Sequence, residues 1–307
     1  MYLLTYLSSL RPEIIINVTD HNVFFLNLKK YFPKIILVVI QQAFFALDTF
    51  NKILERKEKL TESKFIVDYA CLYGKYTKLF YSHFMKSKYL VTGSVKNNMF
   101  SVNRSDDQSV VFISQFRMNI NYDFKENKFK NILFEKSLYN NLKEYCQKYN
   151  KKLLVLSCHL DCQLIEKEYF NKYLGKNNFT FIPKTSWAES YINSNNFNYF
   201  VTQNSTLGYE LMAKGKKVAF IYNYKKKNNK FKNLNQFFFD VKTSGHFWTS
   251  SVVYKKFEKT LNSAFFSNIK EYDSQRKKYI APYIVYNKDN KIFRNLINKL
   301  SDNKVFI

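Results

Sequence analysis

The chain has 307 residues, of which 46% are hydrophobic, and 49 lysines and arginines against 24 aspartates and glutamates give a net charge of +25 at pH 7. This length and apolar content suffice for one large domain or two ordinary ones, which excludes general disorder. A charge of this size would favour phosphate-rich partners. However, the chain is rich in Lys, Asn, Ile, Phe and Tyr and has only 6 glycines and 4 prolines, a composition that indicates the drift of an AT-rich genome. Most of the positive charge is therefore expected on solvated surface.

Cysteine spacing and apolar runs predict a cytoplasmic protein. The opening segment MYLLTYLSSLRPE lacks the basic leading part and the small-residue cleavage site of a signal peptide. The longest apolar run, Ile35 to Leu47, is interrupted by two glutamines and is too short to span a bilayer. Any membrane contact is therefore expected to be peripheral. Free thiols rather than a zinc site are predicted from the spacing of the four cysteines, Cys71, Cys146, Cys158 and Cys162.

The first third of the chain alternates apolar runs with helical stretches. EIIINV (13–18) is typical of a buried strand, and a helical segment that Pro33 closes follows it. KIILVVIQ (34–41) and YLVTGS (89–94) predict two more strands, with FIVDYACLYG as a candidate for another. The segment 95–109 has no hydrophobic period and carries turn formers. We therefore predict an N-terminal domain over 1–107 and a C-terminal domain over 108–307.

The second part of the chain repeats the alternation of strand and helix. Its strands are continuous apolar runs, which is typical of parallel sheets covered by helices on both faces. Two such units predict an α/β protein with two Rossmann-like domains that face a cleft. The basic run 222–236 predicts a loop, and the C-terminal YIVYNKDNKIFRNLINKL predicts a loop that enters a helix. The predicted strands are 110–114, 152–158, 179–183, 199–203 and 217–222.

The turn in VTQNSTLGYELMAKGKKVAF is predicted to bind an anion. Ligands of open parallel sheets bind beyond the carboxyl ends of strands, and this turn follows a strand. Asn204, Ser205 and Thr206 are helix-capping residue types, and the first amides of the helix, from Leu207 on, carry partial positive charge. A phosphate at this turn would meet backbone N–H groups and two hydroxyls.

Two further residues of the same segment have a functional and an ordinary interpretation. Gly208 would allow a ligand or a neighbouring helix to come close, and Glu210 could accept two ribose hydroxyls. The alternative is ordinary helix capping by serine and threonine, with Gly215 ending the helix.

The segment NSTLGYELMAKGKKVAFI, with KYLVTGSVKNNMF, VVFISQF and GHFWTS, resembles the bacterial surface carbohydrate biosynthesis proteins, which have the two-domain architecture of GT-B glycosyltransferases. RPEIIINVTDHNVFFLNLKKYFPKIILVVIQQ resembles their early segment, so the likeness runs from about Arg11 to NKDNKIF. It implies a transferase that moves a sugar from a nucleotide-activated donor to a surface glycan, with nucleotide binding in the C-terminal domain. It also implies that no metal is needed, and the sequence has no D-x-D motif.

The chain departs from this family in three places. It has QQA at 41–43 where relatives tend to have QNG, and GHFW where they have GPFW. It also begins just before its first strand, whereas relatives usually carry another strand and helix ahead of it. An altered acceptor loop and a shortened N-terminal domain are therefore expected, and the latter puts activity in question.

Few residues are candidates for the chemistry. Inverting sugar transfer needs a base for the acceptor hydroxyl and a group that stabilises the departing phosphate. Asp20 and His21 directly follow the first strand, and Asp20 is the first choice as base, with helix capping as its alternative. His159, at the end of KLLVLSC, could donate to the donor phosphate or be structural.

Three other residues are weaker candidates for the donor site. Ser114 and Gln115 end the strand VVFIS and are expected to face the cleft. His246 in SGHFWTS could approach the sugar or pack on Trp248.

Four functions are open at this point. The first is a cytosolic glycosyltransferase that acts on a lipid-linked or polysaccharide acceptor at the inner face of the membrane, where its basic surface would meet anionic lipid. The second is a polyol-phosphate transferase of the teichoic-acid type. The third is nucleic-acid binding through lysine-rich loops, which no helix-turn-helix, zinc-finger or RNA-binding signature supports, so no nucleic-acid partner is expected. The fourth is a degenerate, non-catalytic protein.

Overall fold

The computed structural model describes residues 2–44, 65–101, 106–116, 126–223 and 243–302. The chain forms two compact units, Met1–Met99 with Pro282–Ile307, and Phe100–Ala281. This differs from the predicted division at 107/108 in two ways. The boundary lies a few residues earlier, and the C-terminal segment belongs to the first unit rather than the second. The loop predicted over 222–236 lies almost entirely outside the described residues.

The first unit is built on a parallel sheet in the order β1-β2-β3-β4. In β2 successive residues serve opposite faces, because Leu37 and Val39 join one apolar cluster while Val38 and Ile40 join another. This explains why the strand is a continuous apolar run. The elements are α1 (Tyr2–Leu10), β1 (Ile14–Asn17), α2 (Val23–Leu26), a 3-10 turn (Leu28–Lys30), β2 (Ile36–Ile40), β3 (Phe65–Leu72), α3 (Lys75–Tyr81), β4 (Met85–Val91) and α4 (Val95–Asn98).

The second unit contains a six-stranded sheet in the order β10-β9-β8-β5-β6-β7, in which every pairing is parallel. Strands β6 and β7 lie on one side of β5, and β8, β9 and β10 lie on its other side. The switch point of the sheet is therefore between β5 and β8. The elements are β5 (Asp106–Ile113), α5 (Glu126–Lys148), β6 (Lys152–Leu156), α6 (Gln163–Leu174), β7 (Thr180–Ile182), α7 (Glu189–Asn195), β8 (Phe197–Thr202), α8 (Thr206–Ala213), β9 (Lys217–Ile221), β10 (Trp248–Thr249), α9 (Tyr254–Phe266) and α10 (Ile269–Tyr279).

The C-terminal segment returns to the first unit through a 3-10 turn (Lys288–Asn290) and α11 (Lys291–Asp302). Leu296 and Leu300 of α11 pack in the apolar cluster of Val38 and Ile40. Side-chain amides fasten the turn, because Asn98 Nδ2 donates to Asn290 Oδ1 at 3.0 Å and Asn98 Oδ1 accepts the Asn287 N–H at 3.1 Å. The apolar face of the helix and these amide bonds are what place the segment with the first unit.

These features confirm the predicted α/β class with two Rossmann-like units. The cleft between them stays a prediction. No helix within the described ranges combines the length and the apolar character needed to cross a bilayer.

Candidate functional site

The loops that follow β5 and β8 are joined across the switch point of the second sheet. Gln115, in the loop after β5, accepts the backbone N–H of Asn204 on its Oε1 at 2.6 Å. The two strands are hydrogen-bonded neighbours, so both loops lie at the carboxyl edge of the sheet. The structure thus brings together two of the predicted donor-site residues, at the place where open parallel sheets bind ligands.

Helix α8 begins in this corner. Ser205 is its N-cap residue and has extended backbone angles, φ −73° and ψ 135°, but its side chain makes no capping hydrogen bond. The Ser205 N–H instead donates to Thr202 Oγ1 at 3.3 Å, which turns the chain sharply out of β8. Ser205 and Thr206 are half-buried and Asn204 is exposed. A hydroxyl that the helix does not use for its own cap therefore lies at the positive end of the helix dipole.

Three predicted donor-site residues belong to the packing of the corner instead. Ser114 is buried, and its hydroxyl accepts the N–H of Phe116 at 3.1 Å, so this hydroxyl, which was predicted to face the cleft, shapes its own loop. Leu207 is also buried. A Cβ at Gly208 would lie 2.7 Å from Thr202 Cγ2, so glycine is required by the contact of α8 with the sheet. The close neighbours of Gly208 are therefore side chains of the sheet, whereas a ligand or a neighbouring helix was predicted.

Glu210 lies one turn into α8 and is only 1% exposed. Its two carboxylate oxygens accept the hydroxyl of Tyr191, from α7, at 3.1 and 3.3 Å. Burial lowers the pKa of nearby Lys214 to about 8, and the charge of Glu210 opposes this shift. The predicted contact of Glu210 with a ribose stays a prediction, because this conformation gives the carboxylate a protein donor.

An aromatic cluster lies over Tyr191. Phe100 stacks on the Tyr191 ring with a centroid distance of 5.4 Å and an interplanar angle of 4°. Trp187, which is exposed, lies edge-on to the same ring at 6.3 Å. This cluster and the hydroxyl bond together hold Tyr191 over Glu210.

The loop after β6 carries His159 at the same edge of the sheet, since β6 pairs with β5. His159 is exposed, as a group that donates to a ligand must be. The sequence did not reveal what holds this loop. Glu166 of α6 is fully buried and accepts the Ser157 hydroxyl at 2.9 Å and the Cys158 N–H at 3.0 Å. Glu166 shares one helical stripe with the buried Phe170 and Leu174, and a glutamate at such a position could have signalled this role.

His246 lies at the opposite edge of the second sheet, which does not favour an approach to the sugar, one of its two predicted roles. It lies two residues before β10, and Trp248 of β10 pairs in parallel with Phe220 of β9, so the histidine lies toward the amino edge. Its Nε2 lies 3.2 Å from Ser267 Oγ and its Nδ1 lies 3.6 Å from Glu271. Burial lowers the pKa of His246. The geometry indicates a structural tie between β10 and the α9–α10 junction.

In the first unit, Asp20 and His21 form a pair at the carboxyl edge of β1. Asp20 is 1% exposed; its Oδ2 accepts the hydroxyl of Tyr81, and its Oδ1 lies 3.5 Å from His21 Nδ1. Burial raises the pKa of Asp20, and the hydrogen bond to Asp20 raises the pKa of His21. The His21 side chain is 41% exposed. Only the histidine of this pair can meet a substrate in this conformation.

This geometry corrects the first choice of base. Asp20 is too buried to take a proton from an acceptor directly, and it holds the imidazole instead. Helix capping does not account for Asp20 either, because Asn22 caps α2 by accepting the Phe25 N–H at 3.2 Å. An exposed histidine whose inner nitrogen faces a buried carboxylate is the arrangement of a general base with its orienting group.

The QQA loop after β2 lies at the same edge as His21, since β1 and β2 are parallel. Gln41 is buried and accepts the Tyr73 N–H at 2.8 Å, and the Tyr73 hydroxyl donates to the Gln42 carbonyl at 2.7 Å. The loop is thereby fixed to the one that follows β3.

Metal ligands do not cluster in the described part of the chain, where no group of three His, Cys, Asp or Glu could hold an ion. The predicted independence from metal stays a prediction. All four cysteines are free thiols, as predicted.

The model of a protein family described as "putative O-antigen biosynthesis protein" matches residues 38–301. No curated protein matches the chain. Among solved structures, it is similar to MnaA of S. aureus solved with UDP, at 12% identity and a TM-score of 0.58 over 100% of this chain and 80% of that one.

Two further structures share the fold. One is the UDP-GlcNAc 2-epimerase of Methanocaldococcus jannaschii solved with UDP-GlcNAc and UDP, at 15% identity and a TM-score of 0.54 over 97% of this chain and 79% of that one. The other is the sucrose-phosphate synthase of Thermosynechococcus elongatus, at 11% identity and a TM-score of 0.53 over 98% and 77%. The fold is of the GT-B type, and the chain belongs to the O-antigen biosynthesis protein family that its sequence matches.

Proposed function

We propose that the chain is a metal-independent glycosyltransferase that moves a sugar from a nucleotide-activated donor onto a lipid-linked or polysaccharide acceptor of the cell surface. The observation that carries this proposal is the corner at α8, where the Ser205 hydroxyl lies at the positive end of a helix without capping it. Membership of an O-antigen biosynthesis family supports the surface-glycan part. Two relatives of the same fold, solved with UDP or UDP-GlcNAc, support a nucleotide-sugar donor.

The corner of the second unit would bind the donor diphosphate. Backbone amides of α8 and the hydroxyls of Ser205 and Thr206 would bind its oxygens and stabilise the charge that develops on the leaving nucleoside diphosphate. His159, exposed at the same edge, would add a donor from the β6 loop. The nucleotide therefore needs no metal to neutralise its phosphates.

His21 would be the base for the acceptor. Its outer nitrogen takes the proton of the acceptor hydroxyl as the oxygen attacks the anomeric carbon and the bond from that carbon to the diphosphate breaks. Asp20 holds the inner nitrogen and stabilises the imidazolium that forms. The products are a glycosidic bond, a nucleoside diphosphate and a proton that leaves from His21.

The test is a screen of nucleotides and nucleotide sugars by thermal denaturation. We expect UDP or CMP to raise the melting temperature, and we expect Ser205→Ala with Thr206→Ala to abolish the rise. The exposed Ser274→Ala in α10 is the matched control and leaves the rise intact. No rise with any nucleotide contradicts the proposal.

Turnover assays separate the related chemistries. Sugar transfer that requires an added acceptor supports the proposal. Epimerisation of a UDP-sugar without an acceptor would assign an epimerase, and turnover of CDP-polyols would assign a polyol-phosphate transferase.

A further inference from the structure

We propose that Tyr191 is a gate that determines access to the nucleotide site: its hydroxyl occupies the carboxylate of Glu210 until the vicinal hydroxyls of a ribonucleotide replace it. The inference rests on the proposed function, since it assigns a partner to a residue of the same corner. It concerns the substrate class, because only a ligand with two adjacent hydroxyls can replace what the tyrosine supplies.

The contact itself has the form of a substitute ligand. The Tyr191 hydroxyl lies between both oxygens of Glu210, at 3.1 and 3.3 Å, so the single O–H is shared between them. Both distances are longer than the usual distance for an O–H donor on a carboxylate. Two hydroxyls on neighbouring carbons could each donate to one oxygen at normal length. The Tyr191 hydroxyl therefore hydrogen-bonds the carboxylate less strongly than the two hydroxyls of a diol would.

Burial makes the gate necessary. Glu210 is 1% exposed, so no ligand reaches its carboxylate in this conformation. It lies about one turn behind Ser205 on α8, so a nucleotide whose phosphates bind at Ser205 would bring its ribose toward this turn. The group that covers it comes from a separate element, α7, a helix of only seven residues. Tyr191, the residue that covers Glu210, can therefore move with α7 while α8 stays in place.

The cover is held by aromatic contacts. Phe100 stacks in parallel on the Tyr191 ring, and Trp187 lies against its edge. Because Trp187 is exposed, this cluster lies at the surface of the unit rather than in its core. Rearrangement of surface aromatic side chains costs far less than opening a core.

Tyr191→Phe tests the gate. The variant keeps the ring and its stacking but removes the hydroxyl that donates to the buried carboxylate in the unliganded protein. We expect UDP to bind about tenfold more tightly than to the wild type, measured by calorimetry, because the ligand no longer competes with the tyrosine. Tyr149→Phe is the matched control, since it also removes a carboxylate-bound hydroxyl, on Glu258, and is expected to leave UDP affinity unchanged.

A second variant distinguishes the gate from a general loss of packing around Glu210. Glu210→Gln is expected to weaken UDP binding about tenfold and to make UDP and 2′-deoxy-UDP bind equally. When Tyr191→Phe is combined with Glu210→Gln, the gain in UDP affinity caused by Tyr191→Phe should fall below about twofold. The reason is that no carboxylate remains for the tyrosine to release. A gain that persists without Glu210 overturns the gate.

The outcomes distinguish this inference from the proposed function. If the wild type binds UDP through Ser205 and Thr206 but Tyr191→Phe binds it no more tightly, the gate is wrong and the donor site stands. If the wild type binds UDP and Tyr191→Phe binds it more tightly, both are supported. If neither protein binds UDP or any other nucleotide, both are overturned.

Discussion

Asp20 in the first unit and Glu210 in the second are both buried carboxylates that accept a tyrosine hydroxyl, but their surroundings differ. Beside Asp20 the exposed His21 faces outward, so the carboxylate can act through a neighbour without being reached. Over Glu210 lies Tyr191 with its aromatic cluster. The comparison teaches that burial alone does not decide the role of a carboxylate. We propose that Asp20 positions a base and that Glu210 must be uncovered before it meets a ligand.

The largest expected effect comes from removing the base on the Asp20 side of the comparison. His21→Ala should lower kcat about 10²- to 10⁴-fold in the transfer assay, the usual contribution of a general base. UDP affinity should stay at the wild-type value, since the donor corner is in the other unit. If transfer continued at the wild-type rate, the base assignment would be wrong.

Asp20→Asn should have the next largest effect and a distinct pH signature. In the wild type Asp20 raises the pKa of His21, so the base is neutral and active only above that raised value. Without the carboxylate the pKa falls, and the ascending limb of the kcat/KM profile should move to lower pH. We also expect kcat to fall, by less than the loss caused by His21→Ala, because the imidazolium loses its counter-charge. An unmoved limb would show that Asp20 does not act through His21.

Tyr81→Phe sharpens the comparison by making in the first unit the change that Tyr191→Phe makes in the second. Tyr81 and Asp20 are both buried, so losing this hydroxyl should cost about 1–3 kcal/mol of unfolding free energy by chemical denaturation. UDP affinity should not rise, in contrast to Tyr191→Phe. A rise of similar size in both variants would mean that the gate is not specific to Glu210.

The smallest effect is expected at His246. His246→Gln should leave transfer and UDP affinity unchanged and lower the unfolding free energy by less than about 1 kcal/mol, since the residue lies at the opposite edge from Ser205. A large loss of activity would break the distinction between the two edges of the sheet.

Much of the fold could be predicted from the sequence, because parallel strands buried on both faces are continuous apolar runs. Local patterns also placed Ser205 and His21 at strand ends. What could not be predicted depends on contacts distant in the chain. Asp20 is buried by Tyr81, 61 residues away, and Glu210 is covered from a different helix. The place of His246 could not be predicted because the two-residue strand β10 is too short to recognise from its pattern.

The C-terminal segment shows the same limit. Its helix was predicted, but its return to the first unit depends on Asn98 and Asn290, which are 192 residues apart. Helices α1, α9 and α10 were not predicted either, although the buried positions Phe257, Leu261 and Phe265 of α9 follow helical spacing.

The central claim is that a nucleotide binds at the start of α8, and amide hydrogen exchange with and without UDP tests it most directly. The account predicts that UDP slows exchange at residues 204–207 of the wild type and not of the variant that lacks both hydroxyls. Protection confined to other segments, with the amides of this corner unchanged while UDP is bound, would contradict it.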